Sequence, residues 1–77
     1  MRKKVYIMMT DVRDIMSFAS TAAQVDGPVD VQRGRSNIDG SSLMGLYAID
    51  MSQGVAVEYP EDATEFETFI APFIIEG

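Results

Sequence analysis

Seventy-seven residues make one small domain, 1–77, with room for a single core. An apolar fraction of 47% argues against disorder, and twelve acids against six bases (net charge −6) leave no basic face for nucleic acid. The absence of cysteine excludes disulfides and thiolate metal sites, and no apolar run is long enough to span a membrane. Arg2-Lys3-Lys4 has the charge of a signal-peptide start, but the apolar run Val5 to Met9 is short and Asp11, Arg13 and Asp14 follow at once. A soluble cytoplasmic protein is expected.

Lys3 to Met9 alternates Val5, Ile7 and Met9 against Tyr6 and Met8 and predicts a first strand. Thr10 or Asp11 can cap a helix running to about Gln24, with Val12, Ile15, Met16, Ala19, Ala22 and Ala23 as its apolar stripe. Asp26-Gly27-Pro28 ends it, since proline cannot continue a helix. Val29 to Arg33 alternates again, Gly34-Arg35 turns, and Arg35 to Asp39 returns as the second arm of a hairpin. Ser41 or Ser42 caps a short helix to about Tyr47, and Gly54 starts a strand with Val55, Val57 and Tyr59 inward. Pro60-Glu61-Asp62 opens a last helix with Phe66, Phe69, Ile70, Phe73 and Ile74 on one face, and Glu61, Asp62 and Glu65 at the positive end of its dipole. The order β-α-β-β-α-β-α predicts an α+β open-faced sandwich: a four-stranded antiparallel sheet covered on one face by helices.

The segment from Asn37 to Asp50 carries a resemblance. Ser42-Leu43-Met44-Gly45-Leu46 is similar to the regulatory-serine segment of the histidine-containing phosphocarrier family of the bacterial sugar phosphotransferase system, with Ile38-Asp39 where the family has an apolar residue and Asn. Thr21-Ala22-Ala23, Asp26 and the Val29–Arg33 strand follow at family spacing, so the resemblance covers nearly the whole chain. At the active-site turn the family reads Gly-X-His-Ala-Arg-Pro-Ala, whereas this chain reads Met9-Thr10-Asp11-Val12-Arg13-Asp14-Ile15 and contains no histidine at all. The resemblance therefore puts Asp11 at the phosphoacceptor position, Asp14 at the proline and Arg13 at the arginine near the phosphorylated imidazole. It puts the regulatory phosphosite at Ser42, with Ser41 in place of the family's lysine. It implies the family's fold and protein partners: phosphotransferase or transcription-regulatory proteins and a serine kinase. The family also includes catabolite-repression paralogues that lack the histidine and keep the serine.

Each of these residues also has a plain reading. Asp11 serves as a helix N-cap, as a fixed negative charge where the family puts a transient phosphate, or as an aspartyl-phosphate acceptor, which would want a metal held by clustered carboxylates. Arg13 makes a local ion pair or helps bind an anion at the helix start. Ser42 is an N-cap as well as a phosphosite, and the two roles are compatible. Leu43, Met44 and Tyr47 lie on a helix too short to bury every face; Leu46 is expected inside, and Leu43 and Tyr47 outside beside the Asp11–Arg13 turn as a partner site. Met8, Met9 and Met16 are expected as core filler. The expectation is a regulatory protein-interaction module, not an enzyme, with no cofactor, no metal and no membrane partner. The alternatives are a carrier using Asp11, or an assembly module without phosphate chemistry.

Overall fold

Alternation writes the sheet. The computed structural model describes residues 1–76. Strand β1 (Arg2–Ile7) pairs antiparallel with β4 (Val55–Pro60), setting Val5 opposite Val57 and Ile7 opposite Val55. β2 (Asp30–Arg33) pairs with β4 and with β3 (Ser36–Asp39) across a turn at Gly34, whose φ of 60° suits a residue without Cβ. One antiparallel sheet results, in the order β3-β2-β4-β1-β5. Helices α1 (Val12–Ala23), α2 (Leu43–Ile49) and α3 (Thr64–Ile70) cover one face, giving the expected open-faced sandwich. Among the described residues no helix is long and apolar enough to cross a membrane.

The sheet has five strands rather than four. The expected last helix stops at Ile70, because Pro72 has no N–H to extend it; a 3-10 turn (Ala71–Phe73) follows, and Ile74–Glu76 pairs with β1 as β5. Ile74 is therefore a strand residue. Pro60 closes β4 instead of opening α3. β1 ends at Ile7, since the Met8 amide donates to Phe73 O and the Met9 amide to Met51 O, both at 3.1 Å, instead of continuing the ladder.

The core centres on three rings. Phe66 meets Phe18 edge-on at 5.4 Å and Tyr59 at 5.2 Å, joining α3, α1 and β4. Such a pair contributes about 0.5–1.5 kcal/mol beyond area burial. This cluster corrects the expected stripe on α1. The buried residues are Ile15, Phe18, Ala19 and Ala22, whereas Val12, Met16 and Ala23 are exposed. The helix turns its bulkiest apolar residue inward, and the neighbouring apolar row swings out. Met8 is likewise exposed; only Met9 of the three expected fillers is core.

Two polar clamps close the sheet. Arg2 spans three strands: Nη1 donates to Pro28 O (2.8 Å), Nη2 to Asp30 Oδ2 (2.9 Å) and Glu58 O (3.0 Å), and Nε to Glu58 Oε1 (3.2 Å). On the helix side, Glu67 Oε2 accepts from Lys3 Nζ (2.7 Å) and from the Tyr59 hydroxyl (2.8 Å). The Lys3 and Tyr59 bonds hold the Glu67 carboxyl below its usual range, and burial together with Glu67 pushes Tyr59 up to about 12.

Phe66→Ala is expected to lose about 3–5 kcal/mol in urea unfolding, while Met16→Ala stays within about 0.5 kcal/mol. Tyr59, raised from 10.0 to about 12, contributes stability that is complete below pH 10 and is lost as pH rises toward 12. Tyr59→Phe should flatten that slope in alkaline melts. Glu67, with its lowered pKa, contributes stability present above the ordinary glutamate range and lost as pH falls through its folded value.

Candidate functional site

The site is built from one turn and one short helix. After β1 the chain leaves the sheet through Met8 and Met9 and enters α1 at Asp11. Asp11 has extended backbone angles, and its Oδ1 accepts from the Arg13 amide at 2.8 Å; its Oδ2 lies 3.5 Å from Arg13 Nη2. Both carboxylate oxygens thus face the first turn of α1, as an N-cap and as one end of an exposed ion pair. Arg13 points to solvent, and Asp14 follows it in the same turn.

The entry to α2 is equally local. Gly40 packs so closely on Val29 that a Cβ would lie 2.7 Å from Val29 Cγ1, and its amide donates to Val29 O at 2.7 Å. That approach explains glycine here and pins the chain just before the serines. Asp39 Oδ1 accepts from both the Ser41 amide (2.8 Å) and the Ser41 hydroxyl (2.7 Å), which hold its carboxyl below the usual range. Ser42 is the N-cap, its Oγ accepting from the Gly45 amide at 3.2 Å. The two adjacent serines are therefore occupied differently: Ser41 donates its hydroxyl proton, and Ser42 offers its oxygen to the helix.

Along α2, Leu46 and Ile49 are buried, and Met44, Tyr47 and Ala48 face out at i, i+3, i+4 spacing. Met44 is 84% exposed. Leu43, expected outside, is half-buried and packs against the core, because it shares the inner edge with Leu46. The helix ends at Asp50, a left-handed residue (φ 60°) whose carboxylate accepts from the Ser52 hydroxyl (2.6 Å) and amide (3.3 Å); the hydroxyl bond chiefly lowers its pKa. The 3-10 turn Met51–Gln53 follows, and Met51 O takes the Met9 amide two residues before Asp11. One backbone hydrogen bond therefore ties the exit of α2 to the turn that carries Asp11.

α1 touches both other helices. Phe18 marks the edge toward α3, and the Val12–Met16 row lies roughly 120–160° further around the helix, on the edge toward α2. Val12 and Met16 thus extend the apolar exposure of Met44 and Tyr47 across two helices. Sequence reasoning missed them as surface residues; the available signal was Phe18, whose size decides which of two neighbouring apolar rows turns in. No group of three or more His, Cys, Asp or Glu side chains converges among the described residues.

No protein-family model matches the sequence, and no curated protein matches it. Solved structures do. The chain is similar to the phosphocarrier protein HPr from Bacillus anthracis str. Ames, with a TM-score of 0.68, 19% identity and 95% of both chains covered. It is also similar to HPr-C-His from Thermoanaerobacter tengcongensis, with a TM-score of 0.66, 19% identity, and 94% of this chain and 88% of that one covered. At this identity the likeness establishes the fold: the open-faced sandwich is HPr-like.

The capping roles have measurable consequences. Asp11→Ala and Ser42→Ala should each lower stability by about 1 kcal/mol, whereas Asp11→Asn, which keeps an acceptor oxygen, should stay near the parent. Urea midpoints of the three variants check this.

Proposed function

We propose that this chain is a phosphocarrier-like module of the sugar phosphotransferase type. On this reading it acts through protein–protein contact, carries no phosphate on histidine, and is gated by phosphorylation at Ser42. One observation carries the proposal. An HPr-like fold presents an exposed apolar face on α1 and α2, while an N-capping aspartate stands at the turn where the family places its histidine and the sequence has no histidine anywhere.

The chemistry is consistent with recognition. The exposed Val12 and Met16 on α1 and Met44 and Tyr47 on α2 supply apolar area that a partner can desolvate, and methionines adapt to irregular surfaces. Asp11 and Arg13 at its border set orientation. A phosphate on Ser42, two residues before Met44 in the chain, would add a charge of about −1.5 to −2 near the apolar centre and change which partners bind. The capping role of Ser42 does not conflict with this, because a helix start favours an anion. The carrier alternative through Asp11 has less support: both of its oxygens already face Arg13 and its amide.

Incubation with the general phosphotransferase enzyme and labelled phosphoenolpyruvate should leave the protein unlabelled. Hydroxylamine-sensitive label would overturn the reading and establish Asp11 as a carrier. With the family's serine kinase and ATP, the parent and Ser41→Ala should gain the mass of one phosphate and Ser42→Ala should not. Met44→Asp should lower the affinity for the system's transcription-regulatory protein at least tenfold with an unchanged melting temperature. Equal binding by Met44→Asp would move the partner site off this face.

A further inference from the structure

The face of the sheet that the helices leave uncovered has a built trough of its own. By alternation, the side chains opposite in sense to Val5, Ile7 and Val57 line this face: Lys4 and Tyr6 on β1, Ala56 on β4 and Gln32 on β2. Register sets Ala56 directly between Tyr6 and Gln32, so a methyl group stands between a phenol ring and a carboxamide. Beyond Ala56 the next positions are Gly54 and, on the neighbouring turn, Gly34, neither with a side chain. The result is a depression of about 260 Å³ along the end of β4. The side chain of Ile75 on β5 leans toward it, its Cδ1 3.5 Å from where a Gly54 Cβ would lie.

The charge of this trough is opposite to that of the protein. A chain with twelve acids and six bases lines it with Lys4 and Arg33 and no carboxylate. Arg33 turns its guanidinium to Ile49 O at 3.4 Å, which leaves Lys4 as the cation facing the trough. Lys4 stands opposite Glu58, but Glu58 Oε1 is held by Arg2 Nε at 3.2 Å.

We propose that this trough binds a small organic carboxylate with a single flat ring. The ring lies against the Tyr6 phenol over Ala56, the carboxylate pairs with the Lys4 ammonium, and the Gln32 amide bonds a polar ring substituent. Size sets the class. Drug-sized ligands need roughly 300–1,000 Å³, so this volume holds one ring and not a nucleotide. Charge sets the sign of the ligand, and the exposed Tyr6 face supplies stacking. The site is separate from the α1–α2 face, on the other side of the sheet, and does not depend on the function proposed above.

The test uses 4-hydroxyphenylacetate and its uncharged analogue 4-hydroxyphenethyl alcohol, titrated into the whole labelled protein and followed by amide chemical shifts. The expected result is saturable shifts at Tyr6, Gln32, Gly54 and Ala56 with the carboxylate, and at least tenfold weaker binding of the alcohol. Lys4→Gln should weaken the carboxylate about tenfold, the magnitude of one charge-assisted hydrogen bond, and leave the alcohol unchanged. Ala56→Leu should fill the trough and abolish both; if it unfolds the protein, Tyr6→Ala takes its place with the same expected loss. Non-saturable shifts up to the solubility limit, equal binding of acid and alcohol, indifference to Lys4→Gln, or shifts centred on α1 and α2 would each overturn the proposal.

Discussion

The edge-on contact of Phe18 with Phe66, backed by Tyr59, decides the rest of this molecule. It is the place where α1, α3 and β4 meet, and it sets the rotation of α1 about its own axis. Two apolar rows run along α1 side by side, Ile15–Phe18–Ala22 and Val12–Met16–Ala23, with Ala19 between them. Only one can point into a core closed by a single sheet. Phe18 buries far more area than any residue of the other row, so the first row wins and the second is left in solvent. The exposed face shared with α2 is a by-product of that choice.

The polar framework follows the same economy. Among the described residues no charged or polar residue is fully buried, and no buried side-chain polar atom lacks a partner. The two clamps that cross the sheet therefore sit at its margins, where their net contribution is modest and where they fix register more than they add stability. Arg2 ties β1 to β2 and β4 with three hydrogen bonds and to Pro28 O, just before β2, with a fourth; Glu67 of α3 accepts from Lys3 of β1 and from Tyr59 of β4. The basic N-terminal run is used as structure, one side chain to each face of the sheet.

The turn into α1 carries a fixed anion of its own. A helix N-terminus with free amides favours an anion whether that anion is a transient phosphate or a fixed carboxylate. In this chain the carboxylate of Asp11 belongs to the protein, caps α1, and pairs with Arg13. The turn is held from below by the Met9–Met51 hydrogen bond, which fixes its position relative to α2.

Much was legible in the sequence because it rests on local physics. Alternation gave β1, the hairpin and β4; Thr10-Asp11 and Ser41-Ser42 announced two caps, of which the structure selects Asp11 and Ser42; Gly27-Pro28 announced the end of α1; and the order of elements gave the sandwich. The Ser42-Leu43-Met44-Gly45 segment located α2, with Leu46 inward and Tyr47 outward. Four things waited for the tertiary structure. The inner row of α1 depended on Phe66, forty-eight residues away, because two adjacent apolar rows satisfy the same helical period. The half-burial of Leu43 depended on how far α2 rolls onto the core. The fifth strand depended on Pro72 ending α3 and on β1 having a free edge to receive Ile74–Glu76. The trough depended on register: Ala56 falls between Tyr6 and Gln32 only once β4 is placed between β1 and β2. Local periodicity is a property of neighbouring residues, whereas rotation, edge pairing and register are set by distant partners competing for the same buried surface.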